Sequence, residues 1–562
     1  MDILSLIKEQ IIKAAGENLE FTYPPTSDLG DLSLPLFALA KKTGAKPQEV
    51  AAQLIKKINR HRLIRKMISD IKITGAYLNF FLNCEYFSKK VIDNINQERY
   101  DYGRNRSKKK QKIMVEYSNA NTHKEYHVGH LRNLFYGDAV SRILSASGAR
   151  TLAVSYINDF GIHVAKTLWG YLKLHGAAEL EKPGQALGEI YAEASQKIGE
   201  DKTAQEEVSQ IMRGIESLQG NYYDLWEKTR RWSIKYFSEI YYELNIKFDK
   251  TFYESEVIKD GLKIVSHLIN KGILRKSEGA IIADLEEYQL GVLPIIRSDG
   301  TALYPVADLA LAVKKFKKYH LSESIYIVDV RQSLYFKQLF KILELMGYRI
   351  KTTHLAYEFV TLPSGLMSSR SGNVITYKNL QEEALIKSRQ EIEKRHVDWK
   401  SRKIEKLAQS LTVATLKFEL LKVSANKIIT FNAAEALRFD GYTATYLEYT
   451  HARLKTLLRK AGVKNNLRAD LRNLTDIREI NLVMKLSKYP ETVKRAGADY
   501  DPSAITKYLF ELGQLINDYY HEIPVIKAEE EIKKARLVLL IASGQVLRNG
   551  LDLLGIEALE EI

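Results

Sequence analysis

Two histidines three residues apart, His127 and His130, stand in the segment VEYSNANTHKEYHVGHLRNLFYGDAVSRILSASG, which runs from Val115 to Gly148. At that spacing both imidazoles lie on one face of a first helical turn, where each can donate a hydrogen bond to a phosphate oxygen. A helix N-terminus adds unpaired N–H groups and the positive end of its dipole. Gly129 between them leaves room for a flat ring to lie against the backbone. The elements that must position these groups are legible on either side. Lys112 to Tyr117 is a short β-type run and Ser118 to Thr122 a polar turn. From Leu131 the apolar residues Leu134, Val140, Ile143 and Leu144 recur at helical spacing until Gly148 stops the helix. Strand, turn, His-x-Gly-His and helix together make a nucleotide site. A bare HxGH also fits half of a metal site, although no third ligand of metal-like spacing is nearby, or two structural histidines at a helix cap.

The segment resembles the HIGH signature of class I aminoacyl-tRNA synthetases. Asn121-Thr-His-Lys124 upstream and Leu131-Arg132-Asn133 downstream resemble the arginyl-tRNA synthetases in particular. The resemblance covers essentially the whole chain in that family's domain order. It implies an α/β fold: a Rossmann-like parallel-sheet catalytic core, an N-terminal α/β tRNA-binding domain and an all-α C-terminal anticodon-binding domain.

Bulk properties agree. The 562 residues exceed one core and suggest three or four domains. The single cysteine, Cys84, excludes a disulfide framework or a multi-cysteine zinc site within the chain and suits a reducing compartment. The first residues, MDILSLIKEQIIKAAGE, lack a signal-peptide apolar core and no run of 18 apolar residues occurs, so a cytoplasmic protein with no membrane segment is expected. A formal net charge of +15 favours a polyanionic partner, and the 33 tyrosines lend weak support through their capacity to stack on bases.

Taken in order, residues 1–110 read as a first unit. Helices at Ile3 to Ala15, Pro35 to Lys42 and Pro47 to Ile58 precede Ile71 to Leu82, which alternates like strand with a glycine break. It resembles the family's additional domain for the tRNA D-loop. That likeness implies Tyr77 as a stacking face and Asn79 as an edge-reading amide, although both also suit strand packing. Residues 111–394 hold the catalytic unit. Thr151 to Asp159 reads as a second parallel strand, and about 166–287 as a largely helical insertion. Strands around a turn at Asp299-Gly300 follow, then a helix from Val306 to Lys318, a buried strand from Ser324 to Asp329 and a last strand from His354 to Val360.

Leu366-Met-Ser-Ser-Arg-Ser-Gly-Asn373 occupies the place of the KMSKS signature. Leu366 and Ser369 replace its two lysines. The family resemblance implies that Lys124, three residues before His127, supplies the missing charge, that Met367 and Ser368 help to hold ATP, and that Arg370 adds a second positive group. A guanidinium substrate needs carboxylates and carbonyl-type acceptors. The resemblance assigns this pocket to Tyr304, Asp308 and Gln332 for the side chain, with Glu116, Asn119 and Asn121 holding the amino acid. The family's Thr-Arg before the aspartate is Val306-Ala307 here, which leaves the support of Asp308 open.

Residues 395–562 read as helical and resemble the DALR anticodon-binding domain. Tyr446, Tyr449 and Arg453 share one helical face and are candidates for contacting unstacked bases, although an aromatic stripe is also ordinary core. The chain ends Glu561-Ile562 where the family commonly has methionine. The expected activity is an arginine–tRNA ligase using ATP with Mg2+, L-arginine and tRNA(Arg), with no protein-bound structural metal and as a monomer. A silent tRNA-binding paralogue, motivated by Leu366 and Ser369, and a non-tRNA nucleotidyltransferase are the rivals. A cysteine-specific synthetase is disfavoured by the missing zinc-ligating cysteines.

Overall fold

Near-continuous apolar runs make strands that are buried on both faces, and such strands pair in parallel under a cover of helices. The computed structural model describes residues 2–361, 375–432, 435, 438, 441–463 and 467–562. Its central sheet consists of β1 (Lys112–Glu116), β2 (Arg150–Ile157), β3 (Lys250–Tyr253), β4 (Glu323–Asp329) and β5 (Lys351–Tyr357). The spatial order is β3-β2-β1-β4-β5 and every pairing is parallel. The chain builds outward from β1 to β3, then returns to the other side with β4. The order therefore reverses between β1 and β4, and the crevice at their carboxyl ends is where ligands bind in such sheets.

Helix α1 (Val128–Ala146) crosses from β1 to β2 and buries Leu131, Leu134, Phe135, Val140 and Leu144. Asn133 staples it to the crevice: its Oδ1 accepts from the Ser118 N–H (2.5 Å) and its Nδ2 donates to the Ile327 carbonyl (2.6 Å). At Gly137 the approach is so close that a Cβ would lie 2.1 Å from Tyr117 Cγ. Arg132, 2% exposed, reaches through the same interface. Its guanidinium donates to the carbonyls of Glu358 (2.6 Å) and Phe359 (2.9 Å), and to those of Ser424, Ala425 and Lys427 (3.3, 3.1 and 2.7 Å). It thus clamps the chain entering β6 (Val360–Thr361) and β7 (Ile429–Thr430), which pair in parallel. Arg132→Met strips these acceptors of their donor, and a loss of about 3 kcal/mol or more is expected, visible as a lowered thermal midpoint. An unchanged midpoint would refute the clamp.

The helical excursion expected over 166–287 ends earlier. Helices Ile162–Lys173, Pro183–Ile198 and Lys202–Glu216 and α2 (Asn221–Glu243) pack around Leu168, Trp169, Ile211 and Trp226, and the chain then re-enters the central sheet as β3. Four residues starting at Lys250 carry too short a pattern to register as strand. A small antiparallel sheet, Arg275–Ser277, Ala280–Asp284 and Val292–Ile296, follows. The turn at Asp299-Gly300 leads from it into α3 (Tyr304–Tyr319), and α4 (Ser333–Leu345) follows β4.

The N-terminal unit begins with helix Ile3–Ala15, capped by Asp2, whose Oδ1 accepts from the Ser5 N–H (2.7 Å). Its antiparallel sheet runs in the spatial order Leu32–Pro35, Tyr77–Leu82, Ile68–Thr74. The C-terminal unit is helical, built on α5 (Ser401–Leu421), α6 (Ala444–Lys460) and α7 (Glu530–Leu553), with the helices between them. One apolar core joins all three units, from Leu4 and Ile7 through Leu131 and Phe135 to Leu509 and Leu547.

Candidate active site

The crevice between β1 and β4 opens into a cavity of about 1200 Å³. The turn after β1, the start of α1 and the inward stripe of α3 line it, with residues 329–336 opposite.

The turn is held in an unusual backbone. Ser118 (φ 59°) and His123 (φ 61°) both sit in the left-handed region, which non-glycine residues enter only when their surroundings demand it. Here the surroundings do. The Ser118 hydroxyl meets the Tyr126 (3.1 Å) and Tyr241 (2.8 Å) hydroxyls. The His123 N–H donates to Ser233 (3.0 Å), and its ring nitrogens meet Thr122 (2.9 Å) and Thr229 (2.8 Å). Burial, with His163 nearby, drives the His123 imidazole down to about 3, so it stays neutral. Helix α2 thus fixes the turn that presents Lys124, a role for the insertion that sequence reading missed. Lys124 lines the cavity with its ammonium 4.7 Å from the Tyr191 ring centre.

His127 is the N-cap of α1, so the helix starts three residues earlier than its apolar periodicity indicates. The His127 Nδ1 accepts from the Gly129 N–H (3.1 Å), and the His130 Nδ1 accepts from the His127 N–H (3.3 Å). Both acceptors are lone pairs, so both protons sit on Nε2. The two rings stack at 3.7 Å. Burial, reinforced by the Lys124 charge, holds the His127 imidazole down to about 4; burial, His127 and Lys124 hold His130 well below its ordinary value. The pair therefore offers two neutral Nε2–H donors beside a cation at a helix N-terminus. The flat ring lying on Gly129 is that of His127, whose Cε1 would be 3.0 Å from an added Cβ.

On α3, Tyr304, Asp308, Leu311 and Lys315 form one stripe running from the mouth to the floor: Tyr304 is 68% exposed, Asp308 half-buried and Lys315 fully buried. Asp308 accepts from the Tyr335 hydroxyl of α4. Burial is the main cause that raises its carboxyl to about 6; Glu116 pushes the same way, while Tyr335, Lys315 and Tyr156 oppose. Val306 and Ala307 are 1% and 2% exposed in the apolar layer against helix Ile258–Asn270, where a Cβ on Gly261 would strike the Val306 carbonyl at 2.3 Å. The support of Asp308 thus comes from tyrosines on neighbouring elements.

Asn119, Asn121 and Gln332 line the cavity, and the Asn119 Oδ1 is buried without a partner. Glu116 also lines the cavity, at its floor, 3% exposed, with its carboxylate on the Lys315 ammonium.

Glu254, just past β3, was not legible in the sequence. It is 9% exposed with Oε2 unpartnered, and burial, followed by Asp308 and Asp159, raises its carboxyl to about 8. A carboxylate at the carboxyl end of a sheet strand is the signal that would have marked it, had β3 been recognised. Asp159 is structural, accepting from Arg230 (2.5 Å) and Ser255 (2.7 Å). Met367, Ser368 and Arg370, with Leu366 and Ser369, lie outside the described residues.

Away from the cavity, Tyr77 is 40% exposed and meets Phe37 edge-on at 5.6 Å. Asn79 is 4% exposed and its Oδ1 accepts from Ser33 (2.6 Å). On α6, the Arg453 guanidinium lies 4.6 Å from the Tyr449 ring centre and bonds Asn517 (2.7 Å), whereas Tyr446 packs on Phe510. Among the described residues no group of three or more His, Cys, Asp or Glu side chains is arranged to hold a metal ion, and no helix is long and apolar enough to cross a membrane.

Residues 91–432 match the family model of the class I tRNA synthetase (R) catalytic domain, 447–562 the DALR anticodon-binding domain and 1–82 the arginyl-tRNA synthetase N-terminal domain. The arginine–tRNA ligase of Bdellovibrio bacteriovorus is 35% identical, covering 96% of this chain and 93% of that protein. That of Halothermothrix orenii is 31% identical, covering 100% and 99%. Among solved structures, the Thermus thermophilus arginyl-tRNA synthetase superposes with a TM-score of 0.84 at 27% identity, covering 100% of each chain. The Plasmodium falciparum arginyl-tRNA synthetase shares the fold at a TM-score of 0.81 and 20% identity, covering 99% and 98%. A parallel sheet with this switch point, a paired-imidazole helix N-terminus and full-length relatives of one kind lead to one statement: the chain belongs to the arginyl-tRNA synthetases, the class I enzymes that activate L-arginine with ATP and join it to tRNA.

Proposed function

We propose that ATP, carried with its Mg2+, lies across the start of α1 while the arginine side chain enters along the α3 stripe, so that the arginine carboxylate meets the α-phosphorus between them. The observation that carries this reading is the placement of two neutral Nε2–H donors and Lys124 in the same cavity as the half-buried carboxylate of Asp308. The guanidinium pairs with Asp308, while Glu254, protonated at neutral pH, offers its carbonyl oxygen as an uncharged acceptor and Tyr304 and Gln332 stand at the mouth; Asn119 and Asn121 receive the amino-acid end. The arginine carboxylate is already ionised at neutral pH and needs no general base. Its oxygen attacks the α-phosphorus and pyrophosphate leaves. His127 and His130 donate to phosphate oxygens across the gap left by Gly129, and Lys124 stabilises the departing charge. Met367, Ser368 and Arg370 are assigned to the same phosphates. In the second step the terminal adenosine 2′-OH attacks the arginyl carbonyl and AMP departs. tRNA(Arg) is held through Tyr77 at its elbow and through Tyr446, Tyr449 and Arg453 at the anticodon loop, where stacking and charge-assisted contacts suit unstacked bases. The reading has a cytoplasmic monomer, in keeping with an exposed free Cys84.

The test is arginine-dependent ATP–pyrophosphate exchange, with and without tRNA(Arg), across pH. Exchange is expected, with kcat/KM for arginine falling about tenfold per unit below about 6 as Asp308 takes a proton. The histidines, already neutral through that range, add no limb near their ordinary value. Absence of arginine-dependent exchange in both conditions, or a flat profile down to pH 5, would overturn the site assignment.

A further inference from the structure

At the floor of the arginine cavity sits a cation that no assigned role uses. Lys315 is 0% exposed, its ammonium is on the Glu116 carboxylate, and it lies 4.7 Å from the Tyr326 ring centre and 5.9 Å from that of Phe252. A buried positive charge beside a site for a positively charged substrate is unfavourable unless it does something a neutral side chain could not.

We propose that Lys315 is a positioning residue for arginine recognition: by holding Glu116 as its own counter-ion, it keeps Asp308 ionised and free to receive the guanidinium. This rests on the reading that Asp308 binds arginine. The groups facing Lys315 or Asp308 come from every surrounding element: Glu116 from β1, Tyr156 from β2, Glu254 beyond β3, Tyr326 from β4 and Tyr335 from α4. None of these is cationic; Lys315 is. Without it, Glu116 and Asp308 are two carboxylates in one low-dielectric cavity, and one of them retains a proton to higher pH. With it, Glu116 is neutralised at the floor and the guanidinium's own charge is matched one level higher. The α3 stripe explains the spacing, since Asp308 and Lys315 are two helical turns apart on one face.

The experiment is the pH profile of kcat/KM for arginine in Lys315→Met, Lys315→Gln and Lys315→Arg, with concentrations set by active-site titration and the KM for ATP measured alongside. Lys315→Met and Lys315→Gln are expected to move the acid limb upward by about one pH unit with the KM for ATP within about twofold of the parent. Lys315→Arg retains the charge and is expected to keep the parental limb. An unshifted limb in the neutral variants, or an equal rise in both KM values, overturns the proposal. Should Lys315→Met fail to fold, the comparison of Gln with Arg decides alone. Asp308→Asn separates the two layers of the argument. If it leaves the KM for arginine unchanged, the site reading itself falls. If it raises that KM while Lys315→Gln leaves the limb in place, only the role of Lys315 falls.

Discussion

Replacing Lys124 with alanine is expected to slow arginyl-adenylate formation by about 10²–10³-fold while leaving arginine binding within about threefold. The asymmetry follows from where the charge acts. Pyrophosphate gains negative charge only as the bond to the α-phosphorus breaks, so a cation aimed at it stabilises the transition state more than the ground state. Lys124 is well placed for this because its mobility is restricted: His123 behind it is bonded to Thr122, Ser233 and Thr229, and its own ammonium rests against Tyr191. The neighbouring imidazoles are neutral, so they do not repel it. If Leu366 and Ser369 stand where the family resemblance puts two lysines, more of the task falls to Lys124. Single-turnover adenylate formation beside equilibrium titration of arginine measures both quantities. Equal losses in the two would remove Lys124 from the chemical step.

Asp308→Asn has the other large expected effect, on a different observable. It removes the carboxylate from a site that desolvates the guanidinium, and breaking such a pair while the other charge remains typically costs about 3–5 kcal/mol. That corresponds to a rise of about 10²–10⁴-fold in the KM for arginine, with the KM for ATP nearly unchanged. The asparagine still accepts from Tyr335, so local packing survives and the effect reports charge rather than collapse. The acid limb near 6 should vanish from the residual activity, because the group that titrates there is gone. A variant that keeps parental affinity for arginine, or keeps the limb, would transfer recognition to Glu254.

Much of the catalytic unit was legible because its signals are local. The run from Lys112 to Gly148 states strand, turn and helix within one short stretch. The strand at Ser324 to Asp329 and the helix beginning near Val306 likewise carry their own periodicity. Departures occur where a signal needs a neighbour to be understood. β3 is short and opens with Lys250, so only its pairing with β2 identifies it, and Glu254 beyond it stayed hidden with it. The position of Asn79 in the chain says nothing of Ser33, which reaches its oxygen only from the adjacent strand. The partner of Glu116 is equally hidden, because a helix nearly two hundred residues away delivers Lys315 to it.

The sequence by itself determined which chemistry is available: the imidazole pair, the lysine before it, the acid on α3 and the fold class that brings a helix N-terminus to a strand end. The tertiary structure alone decided the state of each group. It put the protons of both imidazoles on Nε2, gave Asp308 its tyrosine support, and paired Glu116 with Lys315. The physical reason is range. Periodicity and capping act over a few residues and are written in order along the chain. Protonation and pairing depend on burial and on charges within a few ångströms, and those are supplied by elements that meet only when the sheet has closed over its switch point.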